Sequence, residues 1–221
     1  MTYSYYISYF DLIMNQKTNQ LGLDISFMDE QDPYVVFRAW MEAAKQSEPN
    51  DPNALALATA DSSGQPDVRM VLLKGLSDQG FVIYTNLESK KSKDLIANPK
   101  ASMCFHWKSL LRQVRISGTI TQVSATEADD YFQSRPYLSR IGAWASIQST
   151  PMNARDDFEK RIEHFKQTYP DEHKVPRPPF WSGWLLSPVT IEFWKDVSNR
   201  LHQRLRYSKV NHTWKKEILY P

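Results

Sequence analysis

Between residues 33 and 44 apolar positions recur with helical spacing, and Val36, Phe37, Trp40, Met41 and Ala44 form one stripe. Asp32 and Pro33 stand just before it. An acceptor side chain followed by a residue with no N–H to lose predicts a helix starting there. The stretch Glu48-Pro49-Asn50-Asp51-Pro52 ends it. Short strand-like runs follow at Ala54–Ala60, Val68–Leu73 and Phe81–Thr85, separated by the turn sequences Asp61-Ser62-Ser63-Gly64 and Ser77-Asp78-Gln79-Gly80. A helix over about 89–98 stops at Asn98-Pro99, and strands resume over 101–107 and 112–121. Ser124-Ala125-Thr126-Glu127 has capping-box spacing and predicts a helix through about Ser134. Asn153 is the candidate cap of another, with Phe158, Ile162 and Phe165 on one face. A proline-rich loop over 174–179 precedes strands near 183–194, 202–207 and 213–219. Short strands at regular spacing indicate an antiparallel barrel or sandwich. The expected fold class is mainly β with flanking helices (α+β), with residues 31–221 as one domain and residues 1–30 as a poorly ordered arm.

A chain of 221 residues, 41% hydrophobic and 24% charged, suits one soluble domain with a sizeable core. The net charge of +2 argues against nucleic acid as a partner, including RNA bound on a basic barrel. No stretch approaches the roughly 18–20 apolar residues of a membrane span. The start of the chain lacks the basic and apolar segments of a secretion signal, so a cytoplasmic location is expected. The one cysteine, Cys104, lies in the apolar run Met103-Cys104-Phe105 and reads as a buried structural thiol.

Candidate chemistry centres on cations. If Arg200-Leu201-His202-Gln203-Arg204-Leu205-Arg206 is a strand, Arg200, His202, Arg204 and Arg206 share one face while Leu201 and Leu205 face a core. Such a row needs an anionic or electron-rich partner, and its histidine should stay neutral between arginines. Lys90, Lys91 and Lys93 crowd the first turn of a helix, where the dipole disfavours cations and an anion would relieve them. Tyr131 and Arg135 share a helix face four residues apart, with Ser134 and Ser139 beside Pro136; together they offer donors to a phosphate. Parity along Arg69-Met70-Val71-Leu72-Leu73-Lys74 puts its two cations on opposite faces. Gln113 shares a strand face with Arg115 and could bond a heteroaromatic edge. There is no P-loop, no Gly-x-Gly-x-x-Gly, no nucleophile elbow and no metal-type Cys/His spacing. Binding of a phosphorylated small molecule or cofactor follows.

Together these segments resemble the pyridoxine (pyridoxamine) 5′-phosphate oxidase family. The matching pieces are Arg69 to Lys74, Tyr84-Thr85-Asn86, Ser89-Lys90-Lys91, Arg112-Gln113-Val114 and Tyr131 to Pro136. They continue through Ile141 to Ser146, Gln148-Ser149, Glu192-Phe193-Trp194 and Arg200 to Arg204. The resemblance runs in order from about Asp32 to the C-terminus. It implies an FMN-binding split β-barrel and a homodimer with active sites at the subunit interface. The implied reaction converts pyridoxamine or pyridoxine 5′-phosphate to pyridoxal 5′-phosphate, with O2 as acceptor and H2O2 released. By motif match, Arg69, Lys90 and Lys91 hold the FMN phosphate region. Met70, Val71, Leu72, Leu73, Lys74, Tyr84, Thr85, Gln113, Gln148, Ser149, Trp194 and Arg204 complete the flavin site. Lys74, Tyr131, Arg135 and Ser139 grip the substrate phosphate, and Arg200 and His202 act over the substrate ring as the catalytic pair. Arg69 and Lys74 would then point apart toward two phosphates.

Some positions depart from the family pattern. The N-terminal Arg-x-x-Tyr element has no clear counterpart, Lys17 being at best a substitute. Lys90 replaces an arginine, Gln203 an aspartate, Arg140 a glutamine, and Lys195-Asp196 a Gln-Gly pair. The rival readings are a split-barrel flavoprotein acting on another heterocycle and a non-catalytic flavin- or pyridoxal-phosphate-binding protein.

Overall fold

The structure is a computed structural model that describes residues 26–221. Helix α1 spans Pro33–Ser47 and starts as its sequence requires: the Asp32 carboxylate accepts from the Tyr34 N–H at 2.9 Å, with Pro33 in the first turn. Its whole apolar stripe is buried. The strands are β1 (Ala54–Ala60), β2 (Pro66–Leu72), β3 (Gly75–Ser77), β4 (Gly80–Asn86), β5 (Lys100–Trp107), β6 (Arg112–Gln122), β7 (Trp181–Lys195), β8 (Gln203–Val210) and β9 (Thr213–Leu219). Helices α2 (Lys90–Ala97), α3 (Ala125–Gln133), α4 (Tyr137–Ala145) and α5 (Asp157–Thr168) flank them.

All strand pairs are antiparallel, in the order β2-β1-β5-β6-β7-β4-β3, with β8 on β7 and β9 on β8. The Phe37 ring on α1 sits 5.0 Å from Phe81 on β4 and 5.1 Å from Phe105 on β5. Two strands separate β4 from β5 in the sheet, so the sheet must curve around α1 for one ring to touch both. The principal core fills that curve with Leu55, Leu57, Met103, Val114, Ile116, Ile191 and Phe193. A second apolar cluster, built on Phe132, Ile141, Val175 and Trp181, seats the later helices.

Strand β7 organises the sheet because it changes partner along its length. Trp181–Leu186 pairs with β4, and Thr190–Lys195 pairs with β8. The change occurs at Pro188, which has no N–H for a ladder. Opposite it, the β6 register shifts between Ser117 and Gly118, leaving Val189 as the extra residue of a bulge. A Cβ on Gly118 would collide with the Ser187 carbonyl oxygen, so only glycine allows the two backbones to approach there.

Several expectations need correction. Asp156, not Asn153, precedes the helix carrying Phe158, Ile162 and Phe165. Pro136 does not merely break a helix: it ends α3 and opens α4, because its fixed φ suits a helix start. Residues 26–30 of the expected arm are packed, with Phe27 edge-on to Trp40 and the Tyr207 hydroxyl donating to the Glu30 carbonyl at 2.7 Å. The rest of the arm, Lys17 included, lies outside the described residues. Cys104 is half-buried beside the barrel core, and burial pushes its thiol up from its ordinary value.

Candidate active site

A cavity of about 710 Å³ opens between β2, β4, α2 and the α3–α4 corner. Two groups of cations line it, each built by a different part of the chain.

The first group stands on α2. Ser89 is extended and starts the helix, yet its Oγ donates to the Asn86 carbonyl at 2.7 Å and does not cap the first-turn N–H groups. Lys91 turns inward and is buried. Its Nζ donates to Gln148 Oε1 at 2.8 Å, Thr85 Oγ1 at 3.0 Å and Ser89 Oγ at 3.2 Å. All three acceptors are neutral. Burial first, and then the Arg69 charge, push Lys91 down to about 8. A desolvated ammonium with only neutral partners favours an incoming anion. Its neighbours are better satisfied. Arg69 donates to Asp67 at 2.6 Å, to Thr59 Oγ1 at 2.8 Å and to the Leu57 carbonyl at 3.1 Å. Lys90 spans one turn to the buried Asp94 at 2.6 Å. Lys93 is exposed and does not line the cavity.

The second group stands on α3 and α4, with Lys74. Arg135 lies over the Trp181 ring at 4.7 Å, and its Nη1 is buried with no hydrogen-bond partner among the described residues. Burial lowers its pKa, and the nearby Arg140 charge adds to this. Tyr131 stacks on Tyr84 at 3.8 Å and 12°, and Tyr84 is parallel to Trp181 at 5.4 Å. Burial raises the Tyr131 phenol pKa, so Tyr131 is a hydroxyl donor at neutral pH. Ser139 also lines the cavity.

The cavity therefore brings together Arg69, Met70, Val71, Leu72, Lys74, Tyr84, Thr85, Lys90, Lys91, Tyr131, Arg135, Ser139, Gln148 and Ser149. Leu73 is not among them, because its side chain enters the principal core. Gln113, Trp194, Arg200, His202 and Arg204 are absent too. Gln113, Trp194, His202 and Arg204 form a second patch, in which Gln113 pairs with Trp194 and Trp194 with Arg204 across β6, β7 and β8, and Arg200 lies in the turn before β8. Thr85 of the cavity pairs with Ser182 near the start of β7, while Trp194 lies near its end. Twelve residues at about 3.3 Å each put about 40 Å of strand between these two points.

Carboxylates engage Arg204 and His202 of this patch. Arg204 donates through Nε and Nη2 to Glu192 Oε1 at 2.9 and 2.8 Å, and through Nη1 to the Tyr220 carbonyl. His202 packs on the Trp194 ring at 4.7 Å, and its Nδ1 lies 2.7 Å from Asp196.

Residues 41–169 match the family model described as pyridoxamine 5′-phosphate oxidase. Residues 181–221 match that of the pyridoxine 5′-phosphate oxidase C-terminal dimerisation region. The chain belongs to the pyridoxamine 5′-phosphate oxidase family. Over 209 residues it is 56% identical to a pyridoxine/pyridoxamine 5′-phosphate oxidase of Pelagibacter ubique, covering 94% of this chain and all of that one. A Rhodospirillum rubrum protein of the same name is 51% identical, over 89% of this chain and all of its own length. Among solved structures, PhzG from Burkholderia lata, in complex with tetrahydrophenazine-1-carboxylic acid, aligns with a TM-score of 0.84 and 30% identity. That alignment covers 90% of this chain and 98% of PhzG. An FMN-binding protein of Nostoc punctiforme shares the fold, with a TM-score of 0.71 at 19% identity. The split-barrel expectation is met, and membership of an enzyme family sets aside the non-catalytic carrier.

Two readings of this oxidase's sequence fail. The four-residue row is not one strand: β8 begins at Gln203, and Arg200 lies in a short turn with φ of 59°. Leu201 is exposed while Leu205 is buried, so strand parity holds only from residue 203 onward. The nearest charged partner of His202 is a carboxylate, which removes the premise that arginines hold it neutral. Arg69 and Lys74 also share one cavity instead of pointing apart. Strand β2 ends at Leu72; the Leu73 N–H bonds to Asn53 and the Lys74 N–H to Val82, so the backbone has crossed toward β4 and the period of two no longer applies. Sequence reasoning missed Trp181 and Asp94, and it named Glu192 in a matching segment without giving it a role. The Lys90/Asp94 spacing was a readable signal, whereas Trp181 meets Arg135 only through tertiary packing.

Proposed function

We propose that this chain oxidises pyridoxamine 5′-phosphate and pyridoxine 5′-phosphate to pyridoxal 5′-phosphate, with FMN as cofactor, O2 as acceptor and hydrogen peroxide as product; from the amine, oxidation gives an imine that takes up water and releases ammonia. The observation that carries this reading is one cavity with two separately built cation groups. Each contains a cation, the buried Lys91 or the half-buried Arg135 with its buried Nη1, that has no carboxylate partner among the described residues. A phosphorylated cofactor and a phosphorylated substrate supply the two missing anions. The volume of about 710 Å³ falls within the roughly 300–1,000 Å³ of small-molecule sites.

In this reading Arg69, Lys90 and Lys91 hold the FMN phosphate, and the cavity faces of β2, β4 and Gln148-Ser149 take the flavin. Leu73 contributes through its backbone alone. Lys74, Tyr131, Arg135 and Ser139 hold the substrate phosphate. The β7–β8 patch of a second copy completes the site, consistent with the match of residues 181–221 to a dimerisation region. Val68 and Met70 on β2, 63% and 66% exposed, supply apolar surface for that copy to cover. Residues 31–221 work as one domain, in the cytoplasm. When bound, FMN supplies the hydride acceptor and the route for electrons to oxygen. The chain's own residues orient and handle protons: Arg200 fixes the substrate ring, and His202 takes the proton from the C4′ amine or hydroxyl as the C4′ hydrogen leaves as hydride.

The rival is a flavoprotein acting on another heterocycle, as the tetrahydrophenazine bound by PhzG illustrates. One experiment separates them. The purified protein should be yellow, bleach anaerobically on adding pyridoxamine 5′-phosphate, and recover in air. Pyridoxamine without its phosphate should bleach it far more weakly. Bleaching by neither compound would refute the assignment.

A further inference from the structure

The connection from β7 to β8 closes on itself. Asp196, the first residue beyond β7, donates its N–H to the Leu111 carbonyl at 2.8 Å, which ties it to the β5–β6 turn. Its Oδ1 lies 2.7 Å from His202 Nδ1. Between these two residues the chain passes through Asn199 and Arg200, both at φ of 59°. Consecutive non-glycine residues in the left-handed region are strained and persist only where the surroundings impose them. The Asp196–His202 contact, joining the two ends of the loop, is one such constraint.

We propose that Asp196 is a positioning residue for His202. It accepts the Nδ1–H and leaves Nε2 as the atom that exchanges a proton with the substrate's C4′ substituent. This rests on the role proposed above for His202. A neutral imidazole has one donor and one acceptor nitrogen, and the partner of one decides the task of the other. Two groups compete for Nδ1: the Asp196 carboxylate at 2.7 Å and the Val197 N–H at 3.4 Å. The shorter, charge-assisted contact wins, so Nδ1 carries the proton. The Trp194 ring against the imidazole holds its plane. Only 23% of the His202 side chain is exposed, so water competes weakly for Nδ1.

Asp196→Ala, Asp196→Asn and Asp196→Glu test the proposal in the FMN-loaded dimer with two readouts. The first is the pair of ¹⁵N imidazole shifts of His202, assigned by their loss in His202→Ala. The parent should show the proton on Nδ1, Asp196→Ala a mixture favouring Nε2–H, and Asp196→Glu a return toward the parent. The second is anaerobic flavin reduction by pyridoxamine 5′-phosphate. Its limiting rate should fall about tenfold in the Ala and Asn variants, with substrate affinity within about twofold, and recover in Glu. Unchanged imidazole shifts in Asp196→Ala would overturn the proposal. So would parent-like reduction in that variant while His202→Ala is slow. If His202→Ala itself reduces flavin at the parent rate, the proton-handling role of His202 falls, and the proposed task of Asp196 falls with it. A tautomer that still switched would then locate the error in that role and not in the contact.

Discussion

Lys91 in the cavity and Arg204 on the β7–β8 patch are both cations at proposed flavin contacts, yet the protein treats them oppositely. Lys91 is buried against three neutral oxygens and pushed down to about 8, and Arg135 on the far wall keeps a buried Nη1 without a partner. Arg204 has two bonds to Glu192, and His202 has Asp196. In the cavity Lys91 and Arg135 want an anion, while on the patch Arg204 is already neutralised and His202 is fixed by a carboxylate. Unsatisfied buried charge supplies affinity, because a ligand that pairs it removes a standing cost. Satisfied charge supplies geometry. The two regions should therefore fail in different ways when altered.

The largest effect should come from separating them on different chains. With FMN held below the weakened dissociation constants, Lys91→Met empties the cavity and Arg204→Ala loosens the patch's hold on FMN, so each homodimer should lose most of its activity. In a heterodimer carrying one of each, the wild-type cavity of one chain meets the wild-type patch of the other, and one site of two is intact. Co-expression with two affinity tags should recover about half of the parent activity per isolated dimer. A heterodimer as inactive as either homodimer would show that both regions serve one site within one chain.

Within the cavity, Arg135→Ala should raise KM for pyridoxamine 5′-phosphate about 100-fold, the equivalent of a charge-assisted contact of about 2–3 kcal/mol. The limiting rate of flavin reduction should change less than about threefold, because a phosphate grip remote from C4′ acts equally on ground and transition states. Stopped-flow reduction over a substrate series checks both. A smaller effect divides the two lysines of α2. Lys91→Met should weaken FMN binding at least about tenfold, but Lys90→Ala only about threefold, since Asp94 already neutralises Lys90. Equal losses in a fluorescence titration would contradict the division between satisfied and unsatisfied charge.

Local signals in the sequence reached far where structure is local. The Asp32-Pro33 start of α1 and the Ser124–Glu127 cap of α3 depend only on neighbours within a turn, and both are present. The expected shared helix face of Tyr131 and Arg135 is not: α3 ends at Gln133, and Arg135 reaches the same cavity from the turn beyond it. Parity arguments failed where a strand ended sooner than its alternation suggested. Lys74 crosses to the cavity once its N–H joins Val82, and Arg200 lies in a turn before β8 starts. Neither ending has a glycine or proline to announce it. Partners distant in sequence, such as Trp181 under Arg135, meet only through tertiary packing, and no local pattern encodes that. The family resemblance named both sets of residues but not their division into two patches.

The smallest effect is also the most specific to Lys91. In the free protein its ammonium is held down to about 8, first by burial and then by Arg69. A bound phosphate favours the charged form and must raise that value, so above pH 8 binding takes up a proton. The sign follows directly. Below about pH 8 Lys91 is already charged and contributes no pH dependence to FMN affinity. Above it the free protein is increasingly neutral at this position, and the dissociation constant should climb with pH, by at most about tenfold per unit. The climb ends where Lys91 of the bound form also loses its proton. FMN titrations at pH 7.5, 8.5 and 9.5 should show a flat region followed by this rise. In Lys91→Met the rise should vanish while overall affinity is lower, because the titrating ammonium is gone. A rise of equal size in the variant would assign the titration to another group and would remove Lys91 as the unsatisfied cation of the cavity.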